Sequence, residues 1–435
     1  MSFQKLKPLY LKINFPHDWE FIELKEIIKS HNSGIFKNKE FYGKGENIVG
    51  VSNLYDNSKI DGQVFNLVSL EKDEKNNKIL QEGDLIYGES SLVRTGIGKT
   101  LYVTKDGAGT IFAWHTRRFK LMKMIIPIFI YYLMESPFIR KSLIARSTTT
   151  ALTGITTKEY FGTRIPLPKK PEQQKIASIL SNFDKLIESY GEIIEKSKIV
   201  RTGIAKKLLS KGLSHKKFQK IKWYFGKTFD IPKEWTYENL GTYVKIISGK
   251  YFAYSDFVSS GIPVLKIDNV MHGKIDWTKS TFVSDVFMKS HKEIILKERD
   301  IVLALNRPIT HNLVKVSYLS KNDVPSFLYQ RVGKFEFNSD HVVKNFFFIF
   351  LNSPGFKSIL SRILIGSDQP YVKTTELLKQ QVAFPSDIKE QQKIADIIEA
   401  YDSKITALEL KKKNLLFIKK ELMQKLLTGQ IRVAV

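Results

Sequence analysis

The segment Glu172-Gln173-Gln174-Lys175-Ile176-Ala177 occurs a second time, 218 positions later, as Glu390-Gln391-Gln392-Lys393-Ile394-Ala395. That distance is half of the 435-residue chain, so the repeat divides the sequence into two comparable halves. Self-similarity at a fixed distance is typical of duplicated structural units. The sequence therefore predicts a tandem repeat.

The repeat extends beyond these six residues in both directions. Pro16 and Trp19 have counterparts 216 positions later in Pro232 and Trp235. Further matches are Leu80-Gln81-Glu82-Gly83-Asp84-Leu85-Ile86 with Leu296-Lys297-Glu298-Arg299-Asp300-Ile301-Val302, and Lys207-Leu208-Leu209 with Lys425-Leu426-Leu427. Each half thus consists of a globular region followed by a linker, and the linkers are the better matched parts.

The two linkers have the pattern of long amphipathic helices. Apolar residues recur at intervals of three and four, as in a coiled-coil seam. They are Ile176, Leu180, Phe183, Ile187, Tyr190, Ile194, Ile204 and Leu208 in the first linker, and Ile394, Ile398, Tyr401, Ile405, Leu408, Leu415, Leu422 and Leu426 in the second. Each helix would be about 60 Å long at about 1.5 Å per residue. A small domain offers too little surface for such a helix, so we expect the two linkers to pack on each other, antiparallel.

Helix-end signals agree with these linkers. Pro171 suits a first helical turn, and Asp387 with Glu390 three residues later predicts a capping box. Gly212 and Gly429 suit the C-terminal ends.

The fold class predicted is α+β, with two globular domains separated by two long helices that form an antiparallel coiled coil with pseudo-two-fold symmetry. The predicted divisions are a first domain at 1–168, a helical spacer at 169–213, a second domain at 214–386 and a second spacer at 387–435. Alternating apolar patterns predict strands at 49–54, 84–88, 99–104, 110–120, 264–267, 300–305 and 313–319. Helical patterns lie near 127–145 and 340–362, and the aromatic run at 346–350 is expected in a core.

Composition points to a polyanionic partner. The chain has 69 Lys and Arg against 44 Asp and Glu, a formal net charge of +25. Such an excess favours a nucleic acid or an acidic membrane surface. The longest apolar run, near 124–134, contains Pro127 and is far shorter than the ~20 residues that span a bilayer. The N-terminus lacks the apolar core of a signal peptide. We therefore expect a cytoplasmic protein that does not bind membranes.

Catalytic patterns are missing from the sequence. There is no cysteine, which excludes thiol chemistry and cysteine-based metal sites. Gly96-Ile97-Gly98-Lys99-Thr100 resembles the end of a phosphate-binding loop, but Val93 stands where that loop needs glycine. We predict no catalytic residue, no metal site and no cofactor, and hence a binding protein. Two alternatives stay open: a stand-alone structural or RNA-binding protein, and a metal-dependent nuclease that uses an acidic triplet such as Glu23-Leu24-Lys25, Asp73-Glu74-Lys75 or Glu409-Leu410-Lys411.

Two similar basic domains on one frame suit contacts with a long polyanion at two places. Lysine and arginine bind phosphates, arginine pairs with guanine, and asparagine or glutamine pairs with adenine. The DNA-binding candidates in the first half are Arg94, Lys99, Arg117, Arg118, Arg146, Thr148 and Thr149. Those in the second half are Lys250, Lys274, Arg307, His311, Asn312, Gln330, Arg331, Ser367, Gln369 and Tyr371.

The doubled segments resemble the specificity subunits of type I restriction–modification systems, over essentially the whole chain. The residues that carry the resemblance are the paired Glu-Gln-Gln-Lys-Ile-Ala segments, the Pro16-to-Trp19 and Pro232-to-Trp235 matches, and the closing Lys425-Leu426-Leu427-Thr428-Gly429. The resemblance implies two target recognition domains, each of which reads one half of a split duplex DNA site. It also implies that the chain carries no catalytic site, and that two adenine-methyltransferase (modification) subunits and, in the full enzyme, restriction subunits are its partners.

The same resemblance suggests where partners bind and where the two halves differ. The helix face that points away from the seam is the expected surface for the modification subunits. Its candidates are Glu172, Gln173, Gln174, Glu390, Gln391 and Gln392.

The family often has Gln-Arg before one strand of the recognition domain, and Gln330-Arg331 keeps it. The first half has Trp114-His115 there, so its DNA contact at this position is expected to differ.

Overall fold

A computed structural model describes residues 13–149, 153–222, 228–338 and 340–434. The chain forms two compact units. The first unit is Met1–Glu192 with Leu410–Val435, and the second unit is Ile193–Glu409. Each is described by itself below.

The first unit is built on a five-stranded sheet. Its strands lie in the order Ile28–Ser33, Thr116–Leu121, Leu85–Gly88, Thr100–Val103 and Lys59–Ile60. A three-stranded sheet consists of Asn66–Val68, Tyr42–Val49 and Ile111–Phe112, and another of Thr148–Thr149, Thr153–Gly154 and Ser90–Ser91. Glu20–Glu23 pairs with Arg164–Leu167. The short helices are Val51–Asp56, Pro127–Met134, Pro137–Arg146 and Thr157–Phe161, with 3₁₀ turns at Leu24–Ile27, Lys39–Phe41, Asp73–Lys75 and Arg94–Gly96.

Aromatic packing closes the core of the first unit. The rings of Tyr87 and Tyr160 stack with centroids 3.5 Å apart, and Phe119 meets both edge-on. Phe129 is fully buried on the helix Pro127–Met134. The apolar run near 124–134 therefore belongs to the core from Ile125 onward, whereas Met124 is exposed.

The strand predicted at 49–54 is wrong beyond its first residue. The strand Tyr42–Val49 ends there, and the helix Val51–Asp56 follows. The amide of Gly50 donates to Asn53 Oδ1 at 2.9 Å, which closes the first helical turn, and Leu54 is buried. The capping hydrogen bond outweighs the strand preference of the apolar residues.

The second unit has a four-stranded sheet in the order Val244–Ser248, Val332–Phe337, Ile301–Ala304 and Val316–Tyr318. A five-stranded sheet has the order Phe257–Val258, Phe282–Val283, Ile262–Leu265, Ser326–Leu328 and Ile295–Leu296. The paired strands are Phe218–Lys222 with Thr228–Pro232, Trp235–Asn239 with Gln381–Pro385, and Ile309–Thr310 with Leu313–Val314. Helices are Leu240–Tyr243, Phe287–Ser290, Lys344–Leu351, Pro354–Ile363 and Thr374–Leu378, with 3₁₀ turns at Tyr254–Asp256, Lys292–Ile294 and Lys321–Asp323.

The aromatic run at 346–350 is confirmed as core. It lies on the helix Lys344–Leu351, where Phe346 and Phe347 are fully buried. Phe384 receives the rings of Phe346 and Phe350 edge-on at 5.3 and 4.9 Å. Such edge-to-face contacts add to the free energy gained by burial.

The two linkers are helices, Lys170–Lys211 and Ile388–Leu427, named here the first and second long helix. Residues of both occur in each unit, and in each unit they run antiparallel. In the first unit Asp184 pairs with Lys419, and Gly191 lies against Lys412. In the second unit Arg201 donates two hydrogen bonds to Asp402, at 2.9 and 2.8 Å. The predicted antiparallel pairing is therefore present in both.

The helix ends agree only in part with the signals in the sequence. Gly212 and Gly429 have φ of 66° and 69°, the left-handed conformation that ends a helix at little cost to glycine. Asp387 Oδ1 accepts a hydrogen bond from the Lys389 amide at 2.8 Å. The Glu390 amide donates to Asp387 O at 3.0 Å, but the Glu390 carboxylate makes no described hydrogen bond to the Asp387 amide and binds His215 instead. The capping-box prediction is thus correct only for Asp387.

Over the described residues, no helix is both long enough and apolar enough to cross a membrane.

Candidate nucleic-acid interface

Four loops of the second unit meet at one end of its four-stranded sheet. We call them the second loop cluster: residues 249–251, 305–312, 329–331 and 365–372. Backbone hydrogen bonds join them, because the amide of Leu305 donates to Arg331 O at 2.8 Å and that of Arg307 to Pro370 O at 2.7 Å. The Gln330 amide donates to Lys250 O at 3.1 Å. The loops therefore form one connected surface.

The backbone of this cluster is unusual. Arg307, His311, Asn312 and Arg331 all have positive φ, between 45° and 68°, and all are exposed. Residues other than glycine rarely adopt this conformation, and where they do, the strain tends to mark functional sites. Here it turns the polar side chains of four residues outward from a hydrogen-bonded frame.

The first unit contains the same frame with different side chains. We call residues 34–36, 89–96, 113–115 and 147–155, as far as they are described, the first loop cluster. The amide of Glu89 donates to His115 O at 2.8 Å, which is the counterpart of the Leu305 bond to Arg331 O. The Trp114 amide donates to Ile35 O at 2.7 Å, the counterpart of the Gln330 bond to Lys250 O. The pairing of Trp114-His115 with Gln330-Arg331 inferred from sequence is thus correct in space.

Most candidates of the second half lie in the second loop cluster. Exposed members are Lys250, Arg307, His311, Asn312, Arg331, Ser367, Gln369 and Tyr371, while Gln330 is half-buried. Lys250 forms an ion pair with Glu293, and Asn312 Oδ1 accepts from Lys357 Nζ at 2.7 Å. Lys274 is exposed but lies outside the cluster, where its carbonyl accepts from Ser317 Oγ at 2.9 Å. The structure therefore brings nine of the ten together.

Arg118 of the first half is not available to DNA, and its prediction is corrected. Only 7 % of its surface is exposed. Its guanidinium donates to Asn32 Oδ1 at 3.0 Å and to Ile79 O at 2.8 Å, and lies 3.6 Å from the Asp84 carboxylate. Burial lowers the pKa of Arg118 and raises that of Asp84. An arginine committed to internal partners stabilises the sheet instead.

Lys99 and Arg146 are also occupied by internal contacts. Lys99 Nζ donates to Tyr55 O at 2.5 Å, and its counterpart in the second unit, Lys315, donates likewise to Ile267 O. Arg146 donates to Glu159 O at 2.9 Å and to Thr163 Oγ1 at 2.7 Å. These hydrogen bonds hold neighbouring segments together, which is a structural role.

The remaining first-half candidates differ in exposure. Arg94 is exposed and Arg117 is half-buried, with its Nε 2.6 Å from Glu89 Oε1. Thr148 is exposed in the strand Thr148–Thr149, whereas the side chain of Thr149 lies outside the described part of the chain. Arg94 and Thr148 belong to the first loop cluster, so they remain DNA-binding predictions.

Sequence reasoning missed two aromatic residues of the clusters. Phe36 and Tyr251 are exposed and each follows a glycine by two positions, in Gly34-Ile35-Phe36 and Gly249-Lys250-Tyr251. A Cβ on Gly34 or Gly249 would collide with backbone of the opposite loop, at 1.9 and 2.2 Å. The repeated glycine-x-aromatic pattern is the signal that could have found them.

The repeated segments that begin the long helices are anchored inside each unit. Glu172 accepts from Trp19 Nε1 at 3.1 Å and from Arg432, and Glu390 accepts from Trp235 Nε1 at 3.4 Å and from His215. The carboxylate of each glutamate therefore joins a helix start to the segment that follows the end of a long helix.

The two glutamines that follow these glutamates differ in environment. Gln173 accepts from the Ile126 amide at 3.0 Å, and Gln391 accepts from the Val343 amide at 2.8 Å. Both are buried, whereas Gln174 and Gln392 are exposed. The prediction that all six residues face outward is thus wrong for Glu172, Gln173 and Gln391, which are buried. Glu390 is largely covered by His215. The physical reason is that these four side chains form hydrogen bonds with groups inside the unit.

In the described ranges, no group of three or more histidine, aspartate or glutamate side chains is arranged to hold a metal ion. The acidic triplets proposed for a nuclease are engaged in ion pairs, with Glu23 on Lys25 at 2.5 Å and Glu409 on Lys198 at 3.0 Å.

Comparison with known proteins agrees with this architecture. The family described as the type I restriction modification DNA specificity domain matches residues 16–196 and again 232–416. The chain is 40 % identical to the type I restriction enzyme MjaVIII specificity subunit of Methanocaldococcus jannaschii, over 69 % of this chain and 70 % of the relative. The type I restriction–modification S subunit from M. genitalium has the same fold, with a TM-score of 0.52, 16 % identity and 96 % of each chain covered.

A second solved structure agrees in fold. It comes from a study of complex assembly and conformational transition of the type I restriction–modification system, and gives a TM-score of 0.58 at 14 % identity, with 96 % of this chain and 100 % of that chain covered. The chain therefore belongs to the family of type I restriction–modification specificity subunits, as its doubled segments predicted.

Proposed function

We propose that this specificity subunit reads a two-part duplex DNA target, with one half-site bound by each loop cluster. The observation that carries the proposal is that the same hydrogen-bonded loop frame holds different side chains in the two units. A common frame with different readers suits two half-sites of different sequence. Residues 1–168 and 214–386 are the proposed target recognition domains, and 169–213 and 387–435 the helical spacers.

The charge of the chain suits this role. The formal net charge of +25 supplies salt-dependent attraction to phosphates, which positions a protein without reading sequence. Arg307, Asn312 and Arg331 carry the donor groups that distinguish base edges in a major groove. Specificity would thus come from the loop clusters and much of the affinity from the remaining basic surface.

Chemistry is assigned to partner subunits. In this proposal the chain itself is not catalytic and directs adenine methylation by modification subunits, which must take the target base out of the stack. In the full complex it also directs DNA cleavage by restriction subunits. Since the substrate is cellular DNA, we place the protein in the cytoplasm.

Two modification subunits are favoured by a repeated apolar patch on the long helices. Ile199 and Val200 are exposed on the first long helix, and Phe417 and Ile418 are exposed 218 positions later on the second. Exposed apolar groups at repeated positions are typical of protein–protein contacts. The exposed Gln174 and Gln392 remain proposed members of these contact surfaces.

Methylation mapping tests the function. The chain is co-expressed with a modification subunit of the same system, and methylated adenines are mapped over the host genome by sequencing. We expect a split motif with a constant gap that disappears when this chain is omitted. Methylation of an unsplit or random set of adenines, or salt-sensitive DNA binding without sequence preference, would favour the stand-alone structural protein instead.

Native mass spectrometry tests the stoichiometry. The wild-type complex is expected to contain two modification subunits per chain. Ile199→Glu and Phe417→Glu should each remove one of them, and the double variant both. Exposed Lys404→Glu serves as a control for added charge on a long helix. A single modification subunit bound by the wild-type chain would contradict this part of the proposal.

A further inference from the structure

The first loop cluster carries an exposed aromatic stack. The rings of Phe36 and Trp114 meet edge-on with centroids 5.0 Å apart, and the Trp114 ring stacks on His115 at 4.4 Å and 17°. Phe36 is 62 % exposed and Trp114 is 50 % exposed. Large aromatic side chains are usually covered in a folded protein, so three exposed rings in mutual contact on a loop surface indicate a binding surface.

The loops that carry the aromatic stack are fixed by backbone hydrogen bonds and by packing on a buried cluster. Ile35 and Ala113 pair as neighbouring backbone segments and pack against the buried cluster of Ile48, Val68 and Ile111. The Trp114 amide donates to Ile35 O at 2.7 Å, and the Glu89 amide donates to His115 O at 2.8 Å. The aromatic rings therefore stand on a fixed base, which lowers the entropy lost when they bind.

The backbone at the top of the stack is strained. His115 has φ of 62°, a conformation that costs free energy for a residue with a side chain. Its counterpart, Arg331, has φ of 68° in the second loop cluster. Both units thus keep the same turn, and the difference lies in what the turn presents.

That difference is chemical. At these positions the second unit presents Gln330 and Arg331, whose side chains can form hydrogen bonds with base edges, and the exposed ring of Tyr251 is the counterpart of Phe36. The first unit presents the flat rings of Trp114 and His115 at the corresponding positions. Flat rings interact with DNA through the faces of bases, either by stacking or by insertion at a base step.

We propose that Phe36, Trp114 and His115 form a wedge that enters a base step of the half-site read by the first unit and unstacks it. The inference rests on the proposed function, because it takes the first loop cluster as the DNA-reading surface. Insertion covers the exposed rings and is least costly at flexible pyrimidine–purine steps. The first half-site would then be selected partly by its deformability, and the second by hydrogen bonds to base edges.

The test uses the complete complex and the target found by methylation mapping. The half-site whose sequence preference weakens in the methylation map of an Arg331→Ala complex is read by the second unit. The other half-site is then read by the first unit. 2-Aminopurine, whose fluorescence rises on unstacking, is placed at each position of that other half-site in turn. We expect a rise at one step with the wild-type complex, loss of the rise with Trp114→Ala, and at least about tenfold weaker binding. Tyr251→Ala removes the exposed ring at the counterpart of Phe36 in the second unit and should leave the signal in the first half-site intact.

The outcomes separate the wedge from the function on which it rests. Sequence-specific binding by the wild-type complex without any fluorescence rise would overturn the wedge alone. A Trp114→Ala complex that unstacks DNA like the wild type would also overturn the wedge. If the Trp114→Ala chain instead lost a modification subunit and kept its DNA affinity, the aromatic rings would be a protein contact, and the wedge would again be overturned. Trp114→Phe should retain the rise, which guards against a general folding defect. Binding without sequence preference would overturn the proposed function and the wedge with it.

Discussion

His215 in the second unit takes the place that Arg432 takes in the first. Each lies three residues after the left-handed glycine that ends a long helix, Gly212 or Gly429. Each joins two carboxylates, although the chemistry of the two cations differs. The ring nitrogens of His215 lie 2.8 Å from Glu390 and 3.1 Å from Glu234, while Arg432 donates to Glu172 at 2.8 Å and to Asp18 at 2.8 and 2.9 Å.

The histidine contact should depend on pH, and the arginine contact should not. Burial opposes protonation of His215, but its hydrogen bond and charge interaction with Glu390 and Glu234 raise its pKa above the ordinary 6.5. The stability that it contributes is therefore fully present below about pH 6.5 and is lost as the pH rises through the raised pKa. Hydrogen exchange of the Leu213 amide, which donates to Glu390 at 3.1 Å, should accelerate over that range beyond its intrinsic pH dependence.

Exchanging the two cations gives the control. His215→Arg should remove the additional pH dependence of exchange at Leu213, since arginine stays charged. Arg432→His should introduce the same dependence in the first unit, where the two carboxylates are already in place. Identical pH profiles for wild type and His215→Arg would contradict the assignment.

The ion pairs between the long helices should differ in strength. Asp184 accepts from Tyr132 Oη at 2.6 Å and from Lys419, with Lys59 Nζ at 3.4 Å. Burial tends to raise the pKa of Asp184, but these lysines and Tyr132 bring it below its ordinary value. Asp184→Ala should therefore lower the free energy of unfolding by about 3 kcal/mol, because it leaves a partly buried lysine and a hydroxyl without an acceptor.

The matched variant in the second unit is Asp402→Ala. Its carboxylate is 49 % exposed, against 13 % for Asp184, so we expect a loss of at most about 1 kcal/mol. Guanidinium unfolding of both variants measures the comparison. Equal losses would show that burial does not separate the two pairs.

Alanine substitution of two neighbouring glutamines in the second repeat should affect different properties, stability for one and partner binding for the other. Gln391 is buried and also donates to His341 O and Pro385 O, both at 2.8 Å, so Gln391→Ala should cost about 2 kcal/mol or more of stability. Gln392 is exposed and donates to Asp396, so Gln392→Ala should change stability by less than about 0.5 kcal/mol. Thermal unfolding measures both, and binding of the modification subunit is followed in parallel. Only the Gln392 variant is expected to weaken binding while the fold stays intact.

Substitution of two arginines should distinguish residues that recognise DNA from residues that stabilise the fold. Arg331→Ala should leave unfolding nearly unchanged and reduce discrimination at one base pair by about 1–3 kcal/mol, as expected for a bidentate contact with guanine. Arg118→Ala should destabilise the first unit by about 3 kcal/mol, because Asp84 loses a buried partner, while the methylated motif stays the same. Methylation mapping with thermal unfolding of each variant distinguishes them. A changed motif in the Arg118 variant with unchanged stability would reverse the assignment.

Helix length should set the gap between half-sites. Pairing of the long helices is maintained by Asp184 with Lys419 in the first unit and Arg201 with Asp402 in the second, so an insertion in one helix alone disturbs it. Four residues inserted after Ile194 together with four after Lys412 add about one turn to each helix. We expect methylation of the same half-sites with a longer gap. Altered half-sites with an unchanged gap would rule out the spacer role.

Much of the architecture could be predicted from the chain alone. The Glu-Gln-Gln-Lys-Ile-Ala repeat and the 3–4 spacing of Ile176, Leu180 and Ile187 predict duplicated units and long paired helices, since an apolar stripe of that period must be buried on a helix. The side-chain environments could not be read in the same way. Arg118 and Arg331 are both DNA-binding candidates by sequence. In the structure, Arg118 is buried against Asp84, whereas Arg331 is exposed on a strained turn.

The reason is the range of the interactions involved. Helix periodicity and terminal glycines are local properties, encoded within a few turns of chain, and the repeat is found by comparing the sequence with itself. The partners of Gln391, Glu172 and the two loop clusters come from residues tens to hundreds of positions away, such as Arg432 for Glu172. The order of residues therefore determined the duplicated helical frame and the family, whereas tertiary packing decided which polar side chains hold that frame together and which remain exposed.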